Sequence, residues 1–255
     1  MQGKETRSDK TKFHTRRDKY PRVRLIADQK IDAQQGVAMV ESSLRHHPEF
    51  AKDYLPEILR YTFDDGFSRK KRDELIVGYA KYCYKNHREV IQKGTAKALA
   101  EWKKVEKKYF LLVDRLFKKH PWPQGHYVGF ATIWYSYPRN IKTKTFQLPY
   151  WHRLPLYANK VIAHEMLHFM FFDYIKARYG LVERAKIKGK DPEYVWKVSE
   201  AFNNVIEGWK PYKDIFKYTP RPHKGTEKIF EKMNAQWKRK QDVDWLLDKW
   251  LSRVE

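Results

Sequence analysis

Residues Val161 to Tyr174 read VIAHEMLHFMFFDY, and no other stretch restricts the structure of this chain as severely. The run is apolar nearly all round, so as a helix it must be buried. Yet it contains His164, Glu165 and His168. Residues one helical turn apart share a face, so the two imidazoles can point at a single ion. Glu165 lies one residue on, within reach of a water at that ion but angled away from ligating it. Buried imidazoles need partners, and a metal satisfies both at once. Two neutral imidazoles beside a carboxylate make the donor pattern of a zinc site that activates water. The plainer alternative is a core helix with two hydrogen-bonded histidines.

The residues from Val161 to Met170 resemble the extended H-E-x-x-H signature of the zincin metallopeptidases, with uncharged residues at the flanking positions. The likeness is close over that run and extends loosely from Gln124 to Lys240. It implies a zinc-dependent peptide-bond hydrolase, a metalloprotease, with one Zn2+ per chain. His164, His168 and a third residue further along would hold the ion, and Glu165 would act as general base and proton shuttle. It also implies an edge strand ahead of the helix that pairs with extended substrate backbone, main-chain hydrogen bonds supplying affinity.

A third ligand has to come from beyond the motif. Asp173 lies too far around the helix from His168 and is read as structural. Asp191-Pro192-Glu193 marks a new helix, which runs through Trp196, Val198, Phe202, Val205 and Ile206 to Gly208. Glu200 and Asn204 share a face of it. Glu200 can complete a metal shell while Asn204 hydrogen-bonds a ligand histidine; Glu207 is the other choice of ligand. This resembles the glutamate branch of the zincins, the gluzincins, whose third ligand is a Glu on the helix after the active-site helix. That branch often carries an Asp one turn on, where this chain has Asn204.

Hydrolysis also needs a donor for the developing oxyanion. Tyr212, Tyr218, His223 and His152 are available, and His223, in Arg221-Pro222-His223-Lys224, is preferred as a catalytic residue. Tyr127 to Tyr137 and Thr143 to Leu148 read as strands, with Arg139-Asn140 as a turn. The second strand is the expected substrate edge, with Thr143, Thr145 and Phe146 as substrate-binding residues; an interior strand is the alternative.

The expected fold is α+β: a zincin-like metallopeptidase domain over 120–255, with a small sheet, an active-site helix and C-terminal helices. A helical region over 37–119 and a mobile basic arm over 1–30 precede it. Within the helical region Ser68 should cap a helix and Gly94 should break or kink one. Asn159 should cap the active-site helix, Tyr179-Gly180 should close it, and Lys228 to Trp250 should form one last helix. Cys83 is the only cysteine, so there is no intrachain disulfide, a reducing compartment is favoured, and the chain reads as cytoplasmic. A buried packing role for Cys83 is preferred over one as an inhibitory zinc ligand. No apolar run reaches the ~20 residues of a membrane span.

The formal charge of +22, from 53 Lys and Arg against 31 Asp and Glu, suits nucleic acid, another polyanion or a solvated surface equally. It motivates the alternative function: a basic nucleic-acid-binding protein with a structural or degenerate zincin-like core. A metal hydrolase acting on some other bond is a third reading.

Overall fold

The computed structural model describes residues 19–46, 53, 55–63, 67–154 and 156–252. Most of the basic arm lies outside them, as do Pro48, which the sequence suggests as a first-turn helix residue, and Asp64-Asp65-Gly66, which it suggests as a turn. The fold is α+β, rich in helix, around one small mixed sheet. In chain order the elements are β1 (Val23–Ile26), α1 (Gln29–His46), α2 (Glu57–Arg60), α3 (Arg69–Leu116), β2 (Tyr127–Thr132), β3 (Arg139–Asn140), β4 (Thr145–Pro149), α4 (Tyr157–Tyr179), α5 (Tyr194–Gly208), α6 (Lys210–Phe216), α7 (Glu227–Arg239) and α8 (Val243–Leu251). Among the described residues, no helix is long and apolar enough to cross a membrane.

The sheet order is β1-β2-β4-β3. β2 pairs in parallel with both β1 and β4, and β3 pairs antiparallel with β4. Two expectations change here. The end of the supposed arm is structured: Val23–Ile26 is a strand, Lys19 pairs with Asp114 at 2.6 Å, and Tyr20 stacks on Phe110 at 5.2 Å. A short parallel strand interrupted by Arg24 is specified by its distant partner rather than by its own pattern. The outer edge of the sheet also belongs to β3, not to Thr143–Leu148. Arg139 and Asn140, read as a turn, pair with Phe146 and Thr145 and cover the first half of β4.

α4 is hydrophobic enough to be enclosed, and it is. Phe169 meets Tyr127 of β2 at 5.4 Å and Phe146 of β4 at 6.3 Å, while Phe171 meets Phe202 of α5 at 5.1 Å. The C-terminal half of α3 closes the same core through Trp102, Tyr109 and Phe110. Its N-terminal half builds a smaller core with α1 and α2, where Leu55, Ile76 and Trp134 are buried. α3 is therefore shared between the two.

Ser68 caps α3 as expected, its Oγ accepting from Lys71 N at 3.2 Å. Gly94 does not break it; the helix runs through and is kinked at His87 instead. Gly94 answers a tertiary demand: a Cβ there would stand 2.2 Å from the carbonyl oxygen of Tyr150. Asn159 is not the cap of α4, which begins at Tyr157 after Leu156 in a left-handed conformation (φ 60°). Gly180 closes α4 as expected, at φ 67°. The last predicted helix is two, α7 and α8, because Asp242 restarts the chain by accepting from Trp245 N at 2.9 Å.

β2 stops at Thr132 because Asp32 of α1 captures the end of the strand and the two residues after it. The Asp32 carboxylate accepts from Thr132 Oγ1 (2.5 Å), Ile133 N (3.1 Å) and Tyr84 Oη (3.2 Å). Trp134 Nε1 donates to the Asp32 carbonyl at 2.7 Å. Burial raises the Asp32 pKa to about 6, although these donated bonds favour the ionised form.

Two outcomes are expected. Gly94→Ala should lower stability by about 1–3 kcal/mol in denaturant unfolding, since a backbone carbonyl cannot yield cheaply. For Asp32 the folded state binds its proton more tightly than the unfolded chain does. Its contribution is therefore fully present below the unfolded pKa and is lost as pH rises through about 6. Relative to Asp32→Asn, which cannot ionise, wild-type stability should fall by up to ~3 kcal/mol between pH 4 and 7. Urea titrations of both proteins at the two pH values measure it.

Candidate metal centre

α4 and α5 face one another across a polar seam set inside apolar surroundings. On α4 the seam is the His164–His168 face; on α5 it is Glu200, Asn203, Asn204 and Glu207, all buried. Their spacing along α5 puts them on one side of that helix, while Val198, Phe202 and Val205 join the core.

His164, His168 and Glu200 come together at the centre of the seam as a buried triad able to hold a metal ion. The two Nε2 atoms are 3.1 Å apart. His164 Nε2 lies 3.3 Å from Glu200 Oε2, and His168 Nε2 lies 3.3 Å from Glu200 Oε1. His168 is fully enclosed, whereas the His164 side chain keeps 17% of its surface, so the centre opens to solvent on the His164 side.

The ring orientation of His164 is set from behind by Glu207, whose Oε1 is 2.7 Å from Nδ1. This corrects the role expected of Asn204, whose Nδ2 donates instead to the Glu200 carbonyl at 2.8 Å. An amide one turn after Glu200 finds that carbonyl on its own helix, whereas Glu207, a further turn on, reaches across to α4. Asn203 Nδ2 donates to the His164 carbonyl at 3.0 Å, and Tyr109 Oη of α3 donates to the Ala163 carbonyl at 2.8 Å. The α4 backbone at the motif is thus gripped from both sides.

Arg139 supplies the buried cation. From the β3 edge its Nη1 lies 3.0 Å from Glu200 Oε1 and 3.7 Å from Glu165 Oε2, and its Nη2 lies 3.2 Å from Glu183. Burial pushes Glu165 up to about 7, partly offset by His164 and Arg139. Burial would likewise raise Glu200, but His168 and Arg139 hold it well below the usual carboxylate range. Burial lowers His168 well below the ordinary imidazole value, with Arg139 adding to the effect. At His164 burial also acts downward, yet Glu207 and Glu200 prevail and raise it to about 10.

The residues outside the triad take varied places. Glu165 is 4% exposed, on the Arg139 side. Phe146 is a core residue against Phe169 rather than a surface for substrate. Thr145 opens β4 with its hydroxyl 2.9 Å from that of Thr143, which lies in the β3–β4 turn. His223 is exposed, its ring edge-on to Trp196 at 5.7 Å. Lys160, one turn before His164 on the same face, sits 3.9 Å above the ring of Tyr218. His152 stacks at 3.8 Å on Tyr157, a further turn back. Tyr212 is buried, and its hydroxyl meets no hydrogen-bond partner among the described residues. Asp173 is structural as expected, 2.9 Å from His120 Nε2. Cys83 is buried on α3 and takes no part in the triad.

Arg139 and Asn203 were not anticipated. Arg139 gave no local sign, since its role depends on β3 being an edge strand. Asn203 did leave one: a polar stripe at helical spacing inside an otherwise apolar α5. Comparison of the chain with protein-family models, with curated proteins and with solved structures found no match in any of the three. Any reading of the centre therefore rests on its own geometry.

Removing the grip on His164 should be measurable. Glu207→Gln is expected to weaken divalent-metal binding about 10- to 100-fold, and Asn204→Ala to leave it within a few-fold. Competition against a chromogenic chelator checks both.

Proposed function

We propose that the chain is a zinc-dependent hydrolase whose centre is built to cleave peptide bonds. One observation carries this reading: the two imidazole Nε2 atoms lie 3.1 Å apart, each 3.3 Å from a different oxygen of the Glu200 carboxylate, in a pocket rich in buried carboxylates. Ligands at zinc's usual bond lengths in a tetrahedral shell stand about 3.3–3.5 Å from one another. Glu165, Glu200 and Glu207 are each at most 4% exposed, and Arg139 is the single guanidinium among them in the described residues. A divalent cation suits so carboxylate-rich a pocket, and it would take imidazole nitrogens and a carboxylate oxygen as ligands together.

His164, His168 and Glu200 would hold the ion. When bound, zinc supplies Lewis acidity, polarising a carbonyl and making water acidic enough to ionise near neutral pH. Glu165, raised to about 7 by burial, is tuned to accept a proton from the attacking water and return it to the leaving amine. Arg139 offsets the combined charge of Glu165 and Glu200 and ties both to the sheet edge. An extended peptide adding to β3 would run past the residue that carries this contact. Tyr218, above Lys160 on the histidine face, is the preferred donor to the oxyanion, in place of exposed His223.

Elemental analysis of purified protein is expected to give about one zinc per chain, lost in His168→Ala and retained in Glu165→Gln. With a quenched-fluorescence peptide library, Glu165→Gln should lower kcat by at least about 10²-fold. A wild type without stoichiometric metal would sink the proposal. Metal retained without peptide cleavage, but with cleavage of esters, would move it to another hydrolase class.

A further inference from the structure

A row of cations runs along the outside of α3 and ends in an aromatic groove far along the chain from the H-E-x-x-H motif. Lys97, Lys104, Lys108 and Arg115 fall on one line of the helix and are all exposed. Along the axis the line extends for ~27 Å. Lys104 is paired with Glu101 at 2.6 Å. Lys97, Lys108 and Arg115 meet no carboxylate among the described residues.

At the end of the line the guanidinium of Arg115 lies over the indole of Trp209, 5.3 Å from its centroid. Here opens a groove of about 700 Å³ between α3, α5, α6, α7 and α8. Trp209, Trp237, Lys210 and Lys238 line it together with Arg115. Lys210 is answered by Asp214, but Lys238 is not answered by any described residue. Trp237 is 3% exposed, and its Nε1 has no hydrogen-bond partner among the described residues. A buried donor of this kind ordinarily finds an acceptor.

We infer that this line and groove form a binding track for single-stranded nucleic acid. Unpaired cations along the helix suit the phosphates of one strand, and the plane of Arg115 on Trp209 offers a platform on which an unpaired base stacks. The groove has the volume of a small-ligand site, so it admits a base with its sugar but not a duplex. An anionic lipid surface would be drawn by the same charges but would leave the groove unused. The track shares no residue with the metal centre, so it stands whether or not that centre is a peptidase.

The test is fluorescence anisotropy with fluorescein-labelled 12-nucleotide single-stranded DNA and RNA, alongside a duplex of equal length and phosphatidylserine vesicles. Indole fluorescence is followed in parallel. The track predicts tighter binding of single strands than of duplex, with quenching of indole emission. Arg115→Ala with Lys238→Ala should weaken binding by about tenfold or more. It should also flatten the log–log salt dependence by about two. Lys81→Ala with Lys85→Ala removes equal charge elsewhere on α3 and should change affinity less than threefold, while Glu165→Gln should not change it at all. Circular dichroism confirms that each variant is folded. Equal losses in the two lysine and arginine pairs would reduce the effect to bulk charge and overturn the inference. A preference for duplex or for vesicles, or no binding, would overturn it as well.

Discussion

Glu165, Glu200 and Glu207 are buried carboxylates set against two imidazoles and one guanidinium, and the rest of the structure is arranged around keeping them there. Removing such charges from water costs several kcal/mol each unless partners are close and well oriented. Each partner here comes from a different place: the histidines from α4, two carboxylates from α5, Arg139 from the sheet edge. Pulling any one element away leaves an uncompensated charge in an apolar interior. The aromatic contacts of Phe169, Phe171 and Phe202 press the same elements together without specifying their register. The polar seam supplies the register, and the apolar packing supplies the adhesion.

A second anchor works at a distance from the first. Asp32 ends β2 and turns the chain into the loop that returns as β3. Arg139 sits at the start of that returning strand, so the small core around Trp134 and the charged seam are connected by one short segment. α3 adds another connection, contributing to both cores and reaching the α4 backbone through Tyr109. Its buried stripe builds the domain while its outer face carries the row of cations.

Much of the seam was legible before any fold was known. His164, Glu165 and His168 lie within about one turn of each other, so helical periodicity alone sets their common face. Glu200 was legible for a related reason: a helix start at Asp191-Pro192 and a strongly apolar stripe fix which residues of α5 face inward. Glu207 was visible only as a rival ligand, because periodicity puts it on the correct side without saying what it will touch. Its contact with His164 depends on how α4 and α5 cross. The α+β class and most helices followed from pattern, but β1 and β3 did not. Strands of four and two residues carry little pattern of their own and exist because β2 and β4 offer them hydrogen-bonding partners.

Local spacing by itself determined which side chains of this protein could share a helical face: His164 with His168 on one helix, and Glu200 with Glu207 on another. The tertiary structure alone decided what surrounds them: Arg139 brought in from a sheet edge, Glu207 behind His164, and Gly94 left bare for the Tyr150 carbonyl. The division has a physical cause. Which residues line a face depends on the period of one helix, a property of neighbours in the chain. What a buried charge meets depends on the approach of segments far apart in sequence, and only packing of the whole fold sets that distance.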